Sequence, residues 1–401
     1  MNMQKSVCLF IWLFSFCLVF AQSTNFIKGK VFDAASKAPV NNCSVFINST
    51  SKGTVTNNSG EFILQNLPGG KHELIISSIG YQTFVYEFNS TQLPLDLNVT
   101  LNQKSTELSE ITIEPEVKDG WRVWGKTFLD NFIGTTENAS HCTIKNTKAL
   151  HFRFSEKRNR LTVFADEPLI IENKSLGYTI KYQLEDFYCD FHTHMILFLG
   201  FPLFTEMETE KKKQEMKWEE KRREVYLGSI IHFMKSLYNN QLAEQGFRII
   251  RNFRIPNMEK KRVQDLYLGN IQTADTFQIG KNGTPLQVNQ KRNFPKDSII
   301  YYESVLRKPD FSVGYKAVIP DSLITANSDA TKSLFFSDSL TILYTGPDKK
   351  RDQSWVFLIT PQPIIVYSNG LYSPPQEFVT NGYWSLFEKM ANAVPVDYQE
   401  K

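Results

Sequence analysis

Between residues 26 and 101, short runs rich in β-branched and aromatic residues alternate with turn residues such as Asn58-Ser59-Gly60 and Leu67-Pro68-Gly69-Gly70. Glycine and proline stand where the chain must reverse, which indicates strands joined by tight turns. About seven short strands in such a length are typical of a β-sandwich. The pattern predicts strands at residues 26–32, 44–48, 53–56, 61–64, 73–77, 83–88 and 95–101.

A helical period follows at residues 119–132, where the apolar positions are Trp121, Trp124, Phe128, Leu129 and Phe132. This spacing predicts an amphipathic helix, and the aspartate at position 119 is suited to cap it. We expect the aromatic side chains to seat the helix on a sheet. The alternative is an exposed aromatic platform that binds a ligand.

Apolar and polar residues alternate again over residues 141–204, which predicts antiparallel sheet. Residues 209–245 are predicted to form one long helix that Gly246 ends. Its first half carries seven basic and six acidic residues between Glu208 and Glu224. Since these charges nearly cancel, they favour a solvated helix face over a handle for nucleic acid or anionic lipid.

The last third of the chain returns to strand-like patterns. Strands are predicted at residues 247–255, 299–306, 312–319, 333–344 and 354–367, and a short closing helix at 382–391. No repeat or low-complexity linker interrupts the chain after residue 119. We therefore expect one α+β unit with an antiparallel sheet and one long helix at residues 119–401, with a subdivision near 256 as the alternative.

The first 21 residues have the pattern of a secretory signal peptide. Lys5 supplies the positive charge, an apolar run covers residues 7–20, and cleavage is expected after Ala21. The run is shorter than the roughly 20 apolar residues of a membrane-spanning helix, although a retained anchor is the alternative. We expect export to the periplasm, to the outer membrane as an associated protein or to the cell surface, with no membrane span after cleavage.

Composition narrows the function further. The 45 basic and 42 acidic residues give no strongly basic surface, so we expect no nucleic-acid partner. Export permits disulfides, yet the expected mature chain holds only Cys43, Cys142 and Cys189. One pair with an odd thiol and three reduced cysteines both remain open.

The front of the mature chain resembles the carboxypeptidase regulatory-like domain. The resemblance rests on Gly29-Lys30-Val31-Phe32-Asp33, Gly60-Glu61-Phe62, Leu67-Pro68-Gly69-Gly70 and Ser77-Ser78-Ile79-Gly80-Tyr81. It implies a transthyretin-like or Ig-like all-β sandwich at residues 22–102, of a kind common in exported Gram-negative proteins. An extended linker or strand would follow at residues 103–118, before the α+β domain.

Catalytic motifs are sparse. A zinc carboxypeptidase needs a His-x-x-Glu pair, and no histidine here has glutamate three residues later. The strongest alternative is Asp190, His192 and His194, which would share one face if residues 188–195 were a strand, and which are suitable metal ligands. Polar residues on the wet side of a sheet give the same pattern, so we expect no metal or other cofactor. His141 and Cys142, as sequence neighbours on a strand, would face opposite ways.

These observations favour a non-enzymatic exported protein that uses its sandwich and α+β unit for binding or assembly. Its partner would be a cell-envelope protein or a glycan. A hydrolase or metal-dependent enzyme with its site in residues 119–401 is the alternative, because catalytic residues can lie far apart in sequence.

Overall fold

Strands whose residues alternate between buried and more exposed positions build a two-sheet sandwich in the N-terminal part of the computed structural model. The model describes residues 25–104, 114–268, 277–279, 285–287, 294–347 and 351–400. The expected signal peptide and residues 105–113 of the expected linker lie outside the described residues. All seven predicted strands are confirmed, as β1 Phe26–Asp33, β2 Ser44–Ile47, β3 Gly53–Val55, β4 Glu61–Gln65, β5 Lys71–Ser77, β6 Phe84–Asn89 and β7 Leu95–Leu101.

One sheet of the sandwich has the order β4-β1-β7 and the other β3-β2-β5-β6. β1 pairs with β4 in antiparallel and with β7 in parallel orientation. Between the sheets lie side chains that are almost fully buried, among them Ile27, Val31, Val45, Leu74 and Ile76. The predicted fold class, an all-β sandwich followed by an α+β region, is confirmed.

A long hairpin organises the middle of the chain. Its strands, β12 Tyr178–Asp190 and β13 Met195–Glu206, pair along almost their whole length. The first half of β12 also pairs with β11, and its second half with β10. The β12–β13 hairpin is called the spine below, and the two groups of strands that extend from β12 are called its wings. The wings are completed by β8 Cys142–Ile144, β9 Leu150–Ser155, β10 Arg160–Ala165 and β11 Leu169–Asn173.

Helix α1, Gly120–Phe132, packs on this sheet through aromatic side chains. Phe128 lies 4.8 Å from Phe187 and Phe132 lies 4.9 Å from Tyr182, measured between ring centroids. Trp124 stacks on Phe154 at 5.1 Å. The aromatic side chains therefore seat the helix, as the first of the two interpretations expects.

The N-terminus of α1 differs from the prediction. Asp119 is the N-cap residue, but its φ is +54° and its side chain makes no capping hydrogen bond. Its backbone carbonyl accepts from the Arg122 N–H instead. The expected side-chain cap is therefore wrong, since a left-handed backbone does not have the extended conformation from which such caps reach back.

The predicted single helix over residues 209–245 is two helices, α2 Lys212–Tyr226 and α3 Ile230–Tyr238. Gly228 separates them with φ of +82°, a conformation that a residue with a side chain rarely adopts. The Ser229 hydroxyl then accepts from the His232 N–H and caps α3. The continuous helix is therefore wrong, because a glycine break and a new cap lie inside its apolar stripe.

The C-terminal region has a five-stranded sheet in the order β17-β14-β20-β21-β24 and a smaller sheet in the order β18-β19-β22-β23. α3 and the first sheet share a buried cluster that includes Phe233, Ile342 and Trp384. The strands are β14 Phe247–Pro256, β15 Phe277–Ile279, β16 Pro285–Gln287, β17 Phe311–Ala317, β18 Ile324–Ala326, β19 Lys332–Leu334, β20 Ser339–Thr345, β21 Arg351–Leu358, β22 Ile364–Val366, β23 Tyr372–Ser373 and β24 Phe378–Gly382. The helices are α4 Met258–Val263, α5 Lys296–Leu306 and α6 Tyr383–Phe387.

Three predictions fail in this region. The strand expected at residues 299–306 is helix α5. The strands expected at 333–344 and 354–367 are each two strands, in different sheets. The closing helix is shorter than expected and is followed by a 3₁₀ turn, Met390–Asn392. Residue types that favour β structure were outweighed by helical period in the first case and by sharp turns in the others.

The buried side chains fall into separate clusters. One belongs to the sandwich, one to α1 and the spine, and one to α3 and the C-terminal sheets. The second cluster includes Val225, near the end of α2, and the third includes Ile230, the first residue of α3, so the two helices contribute to different clusters. The single α+β unit expected at residues 119–401 and its alternative, a subdivision near residue 256, both stay predictions. β14, which ends at Pro256, lies wholly in the five-stranded sheet that contributes to the third cluster. In the described part of the chain, no helix is long and apolar enough to cross a membrane.

The sandwich is attached to the spine by backbone hydrogen bonds. The Ser49 N–H donates to the Pro202 carbonyl at 2.9 Å, and the Phe204 N–H to the Thr50 carbonyl at 3.0 Å. The C-terminal segment joins the same place, since the Val396 N–H donates to the Ser49 carbonyl at 2.7 Å. The turn after β2 thus covers the outer edge of β13, which would otherwise present unpaired backbone groups.

A buried arginine fastens α2 to the start of the spine. The Arg222 guanidinium donates to the carbonyls of Leu176 and Gly177 at 2.7 and 3.0 Å and to Glu206 at 2.9 Å. It also lies 4.0 Å from the centroid of the Tyr178 ring. Arg222 is 6% exposed at its side chain, whereas Glu206 is 64% exposed.

We expect Arg222→Met to lower the free energy of unfolding by about 2 kcal/mol, since it removes the side-chain donor of the buried Leu176 carbonyl and one of the two donors of the Gly177 carbonyl, which keeps the Met207 N–H. Glu206→Gln should cost less than about 1 kcal/mol, because the Glu206 side chain is largely exposed to solvent and Arg222 keeps its two carbonyl acceptors. Urea unfolding followed by tryptophan fluorescence measures both. Equal losses in the two variants would show that the ion pair, and not the carbonyl contacts, supports the junction.

Candidate functional site

A cleft of about 610 Å³ opens where the sandwich, the spine and the C-terminal region meet. Its walls come from strands β5 and β6, from the middle of the spine hairpin and from the segment around β23. Most of the lining is apolar, with several polar groups among it. The lining residues are Asn48, Ser49, Lys71, His72, Glu73, Glu87, Tyr182, Glu185, Phe198, Leu199, Gly200, Phe201, Pro202, Tyr367, Leu371, Tyr372, Ser373, Pro375 and Met390.

The sandwich wall carries two facing carboxylates. Side chains alternate along a strand, so β5 directs Leu74 into the sandwich core and Glu73 to the opposite face. Glu87 of β6 lies directly opposite Glu73 in the register. Burial raises the pKa of Glu73 and the charge of Glu87 raises it further, while a 2.7 Å hydrogen bond from the Asn48 amide to Oε2 acts against both. Oε1 of Glu73 accepts no hydrogen bond from the described residues.

Lys71 is the cation of this wall. Its Nζ lies 2.9 Å from a Glu87 carboxylate oxygen and 5.3 Å from the centroid of the Tyr367 ring. The hydrogen bond to Glu87 is the main reason that the pKa of Lys71 is raised. Lys71 therefore stays charged and already has partners.

The spine contributes the floor of the cleft. Tyr182 is only 3% exposed, and its ring packs against Phe132 of α1. Its hydroxyl has no hydrogen-bond partner among the described residues, although Tyr182 lines the cleft. Gly200 makes room for it, since a Cβ there would lie 2.5 Å from Cε1 of Tyr182. Burial raises the pKa of Tyr182, so the hydroxyl keeps its proton.

A bulge in the spine sets the rim. The register shifts between Leu184, which pairs with Gly200, and Asp186, which pairs with Leu199. Glu185 is the extra residue and points to the cleft, where its Oε1 accepts from the Thr83 hydroxyl at 2.7 Å. Bulges often redirect a side chain beside a functional site, and this one adds a carboxylate to the rim.

The third wall is held to the sandwich by Asn369. Its amide donates to the Lys71 carbonyl at 3.2 Å and lies 3.4 Å from Nδ1 of His72. His72 is 2% exposed, its Nε2 lies 3.0 Å from the Gly69 carbonyl oxygen, and burial lowers its pKa. His72 is therefore a neutral structural group at the back of the cleft.

The residues considered as metal ligands lie elsewhere. Residues 188–195 are not one strand, because β12 ends at Asp190 and a turn carries His192 and His194 to β13. Oδ1 of Asp190 accepts from the His192 and Thr193 N–H groups, and Oδ2 pairs with Arg160 at 2.9 Å. Both histidines are exposed. The shared strand face is wrong, since this carboxylate holds a turn together.

Among the described residues, no group of three or more His, Cys, Asp or Glu side chains is placed to hold a metal ion. The cysteines give no nucleophile either. Cys43, Cys142 and Cys189 are all free thiols, and burial raises the pKa of each, that of Cys142 to about 12. His141 ends a 3₁₀ turn, and its Nδ1 lies near Ser140 and the Glu137 carbonyl.

Sequence reasoning missed the cleft because its residues extend from Asn48 to Met390. One local signal was available. Lys71 and Glu73 alternate with buried positions in β5, which marks a charged outer face on a strand that a neighbour partly covers.

A half-buried glutamate, Glu388, lies at the N-terminus of α3. Oε1 of Glu388 accepts from the Ile230 N–H at 2.8 Å, at the first residue of α3. Burial raises the pKa of Glu388 to about 7, while the hydrogen bond and Lys389 act in the opposite direction. Between about pH 4.5 and pH 7, the folded protein therefore holds a proton on Glu388 that the unfolded chain has lost.

The pKa of Glu388 is higher in the folded protein, about 7, than its ordinary value of 4.5. The protonated carboxyl therefore stabilises the folded state at low pH, and this contribution is lost as the pH rises from about 4.5 to about 7. We expect the free energy of unfolding to fall over this range by on the order of 2 kcal/mol through Glu388. In Glu388→Gln this part of the pH dependence should disappear, which urea titrations at pH 4.5, 6 and 8 can measure. Glu156→Gln, in an exposed turn, is the control and should follow the wild type. An unchanged slope in Glu388→Gln would exclude this carboxyl as the source.

The chain was compared with protein-family models, with curated proteins and with solved structures. Residues 27–113 match the family described as the CarboxypepD_reg-like domain, which is less than a quarter of the 401 residues. No curated protein matches the chain.

Solved structures give weak similarity. A chain of a type II cohesin–X-dockerin complex from Acetivibrio cellulolyticus is 22% identical with a TM-score of 0.16, over 19% of this chain and 52% of its own length. A protein of unknown function from Bacteroides fragilis is 10% identical with a TM-score of 0.17, over 85% and 93%. A 9R-lipoxygenase from Cyanothece is 8% identical with a TM-score of 0.16, over 57% and 50%. These scores support no argument about function, and the present chain spans about half of the first structure.

The family match coincides with the seven strands of the sandwich and with the residues that carry the resemblance. The N-terminal part of this chain, residues 27–113, is a CarboxypepD_reg-like domain.

Proposed function

We propose that this protein is an exported, non-enzymatic binding protein of the bacterial periplasm or cell surface, and that its ligand occupies the junction cleft. The observation that supports this most directly is the Tyr182 hydroxyl, which has no hydrogen-bond partner among the described residues although Tyr182 lines the cleft. An apolar cavity with a few convergent polar groups is the usual form of a ligand site.

The assembly of the cleft supports binding over mere packing. Its three walls come from regions with distinct hydrophobic clusters, and sites between such regions are frequent binding sites. A volume of about 610 Å³ suits a small molecule or the end of a larger one. A cell-envelope glycan or protein would present such an end to the cleft.

The sandwich has a structural role in this proposal. It supplies one wall through Lys71, Glu73 and Glu87, and the turn after β2 fixes that wall on β13. The accessory domain thus completes a site that the α+β region alone would leave open on one side.

The alternative, a hydrolase, has one observation in its favour. Glu73 and Glu87 face each other, and burial raises the pKa of Glu73. Two carboxyls in different environments can act as acid and base. However, Glu87 forms an ion pair with Lys71. Because this ion pair occupies one of the two carboxylates, the pair is less suited to acid–base catalysis, and we favour binding.

A cleft-filling variant tests the proposal. We expect Leu199→Trp to abolish ligand signals, because the indole fills space beside Gly200, whereas Leu197→Trp, two residues away on the same strand and outside the lining, should retain them. Saturation-transfer NMR would be measured with a panel of methyl glycosides, primary amines, alcohols and carboxylic acids.

Signals that persist in Leu199→Trp would place binding outside the cleft and contradict the proposal. The same samples are analysed by mass spectrometry after incubation. Conversion of any panel member, lost in Glu73→Gln, would favour the hydrolase instead.

A further inference from the structure

Three of the polar atoms that the protein leaves open in the cleft can accept hydrogen bonds. Oε1 of Glu73 and the second carboxylate oxygen of Glu185 have no partner among the described residues, and the oxygen of Tyr182 is in the same position. A carboxylate only accepts hydrogen bonds, and a phenol oxygen accepts as well as donates. A ligand group with several donors would therefore satisfy these atoms best.

The charged groups of the lining also favour a positively charged ligand. Three carboxylates, Glu73, Glu87 and Glu185, stand against one ammonium group, Lys71. Lys71 forms its ion pair with Glu87, so the two other carboxylates have no ion-pair partner among the described residues. The neutral His72 does not change this balance.

Aromatic rings surround the same space. Tyr182, Phe198, Phe201, Tyr367 and Tyr372 all line the cleft. The ring of Tyr367 already lies under one ammonium group, that of Lys71, at 5.3 Å. Ring faces attract cations and also accommodate an apolar stem, so the walls suit a ligand that has both.

We propose that the cleft selects ligands that carry a primary ammonium group on an apolar stem, an inference that rests on the proposed function. The ammonium group has three donors, which match the carboxylate oxygens and the Tyr182 hydroxyl. The stem lies against the apolar side of the cleft, along Leu199, Pro202 and Leu371.

Three probes that share a six-carbon stem isolate the head group. Hexylammonium, 1-hexanol and hexanoate are titrated into the full protein at pH 7 and low salt, with affinities from NMR shift perturbation. Hexylammonium should bind at least about tenfold more tightly than hexanol, and hexanoate most weakly, because burial of its charge beside Glu73 is unfavourable.

Two variants assign the effect to the cleft. Glu73→Gln and Glu185→Gln should each weaken hexylammonium binding by about three- to tenfold and leave hexanol unchanged, since glutamine keeps the shape and removes the charge. Glu61→Gln is the matched control, because Glu61 is an exposed carboxylate of β4 outside the cleft and should change neither probe.

Each other outcome overturns the inference. Equal binding of hexanol and hexylammonium would reject the ammonium preference and leave the binding function intact. If the affinity for hexylammonium is unchanged in both Glu73→Gln and Glu185→Gln, the amine binds outside the cleft. If none of the three probes binds while a panel glycoside binds and is lost in Leu199→Trp, the ligand class is wrong and the cleft is retained.

Discussion

Antiparallel pairing joins β12 to β13 from Tyr178 opposite Glu206 to Asp190 opposite Met195. Three other parts of the described structure are attached to this hairpin. Its wings are sheets that pair with β12, α1 packs on its aromatic face, and the sandwich covers the far edge of β13. A change in the register of the hairpin would move all of these contacts together, because a one-residue slip exchanges the two faces of a strand.

The bulge at Glu185 explains why the cleft lies at the middle of the hairpin and not at its ends. Gly200 faces Leu184 there, and a Cβ at Gly200 would lie 2.2 Å from the carbonyl oxygen of Gln183. The close approach of the backbones leaves room for the phenol of Tyr182 beside the glycine. One irregularity thus sets the rim carboxylate, the floor hydroxyl and the open volume.

Sequence patterns predicted the sandwich well because each strand there is short and ends at a turn residue whose conformation is restricted. They failed for α5, where Ile299, Tyr302, Val305 and Leu306 are the less exposed positions. That spacing is helical, but the aliphatic and aromatic residue types favour strands, and propensity was given more weight than period. The break between α2 and α3 was foreseeable, since Gly228-Ser229 combines a left-handed residue with a helix cap.

The cleft was not foreseeable in the same way, because no periodicity relates Asn48, Tyr182 and Leu371. What brings them together is the docking of separate cores, which depends on surface shape and not on local sequence. That origin also restricts what the cleft can bind. A ligand that enters displaces solvent from the Glu73 carboxylate and the Tyr182 hydroxyl, and it must replace those hydrogen bonds or lose affinity. A wholly apolar ligand fails this condition even though most of the lining is apolar. If the cleft binds a ligand as proposed, selectivity comes from the few open acceptors, and the apolar surface contributes affinity to any ligand that satisfies them.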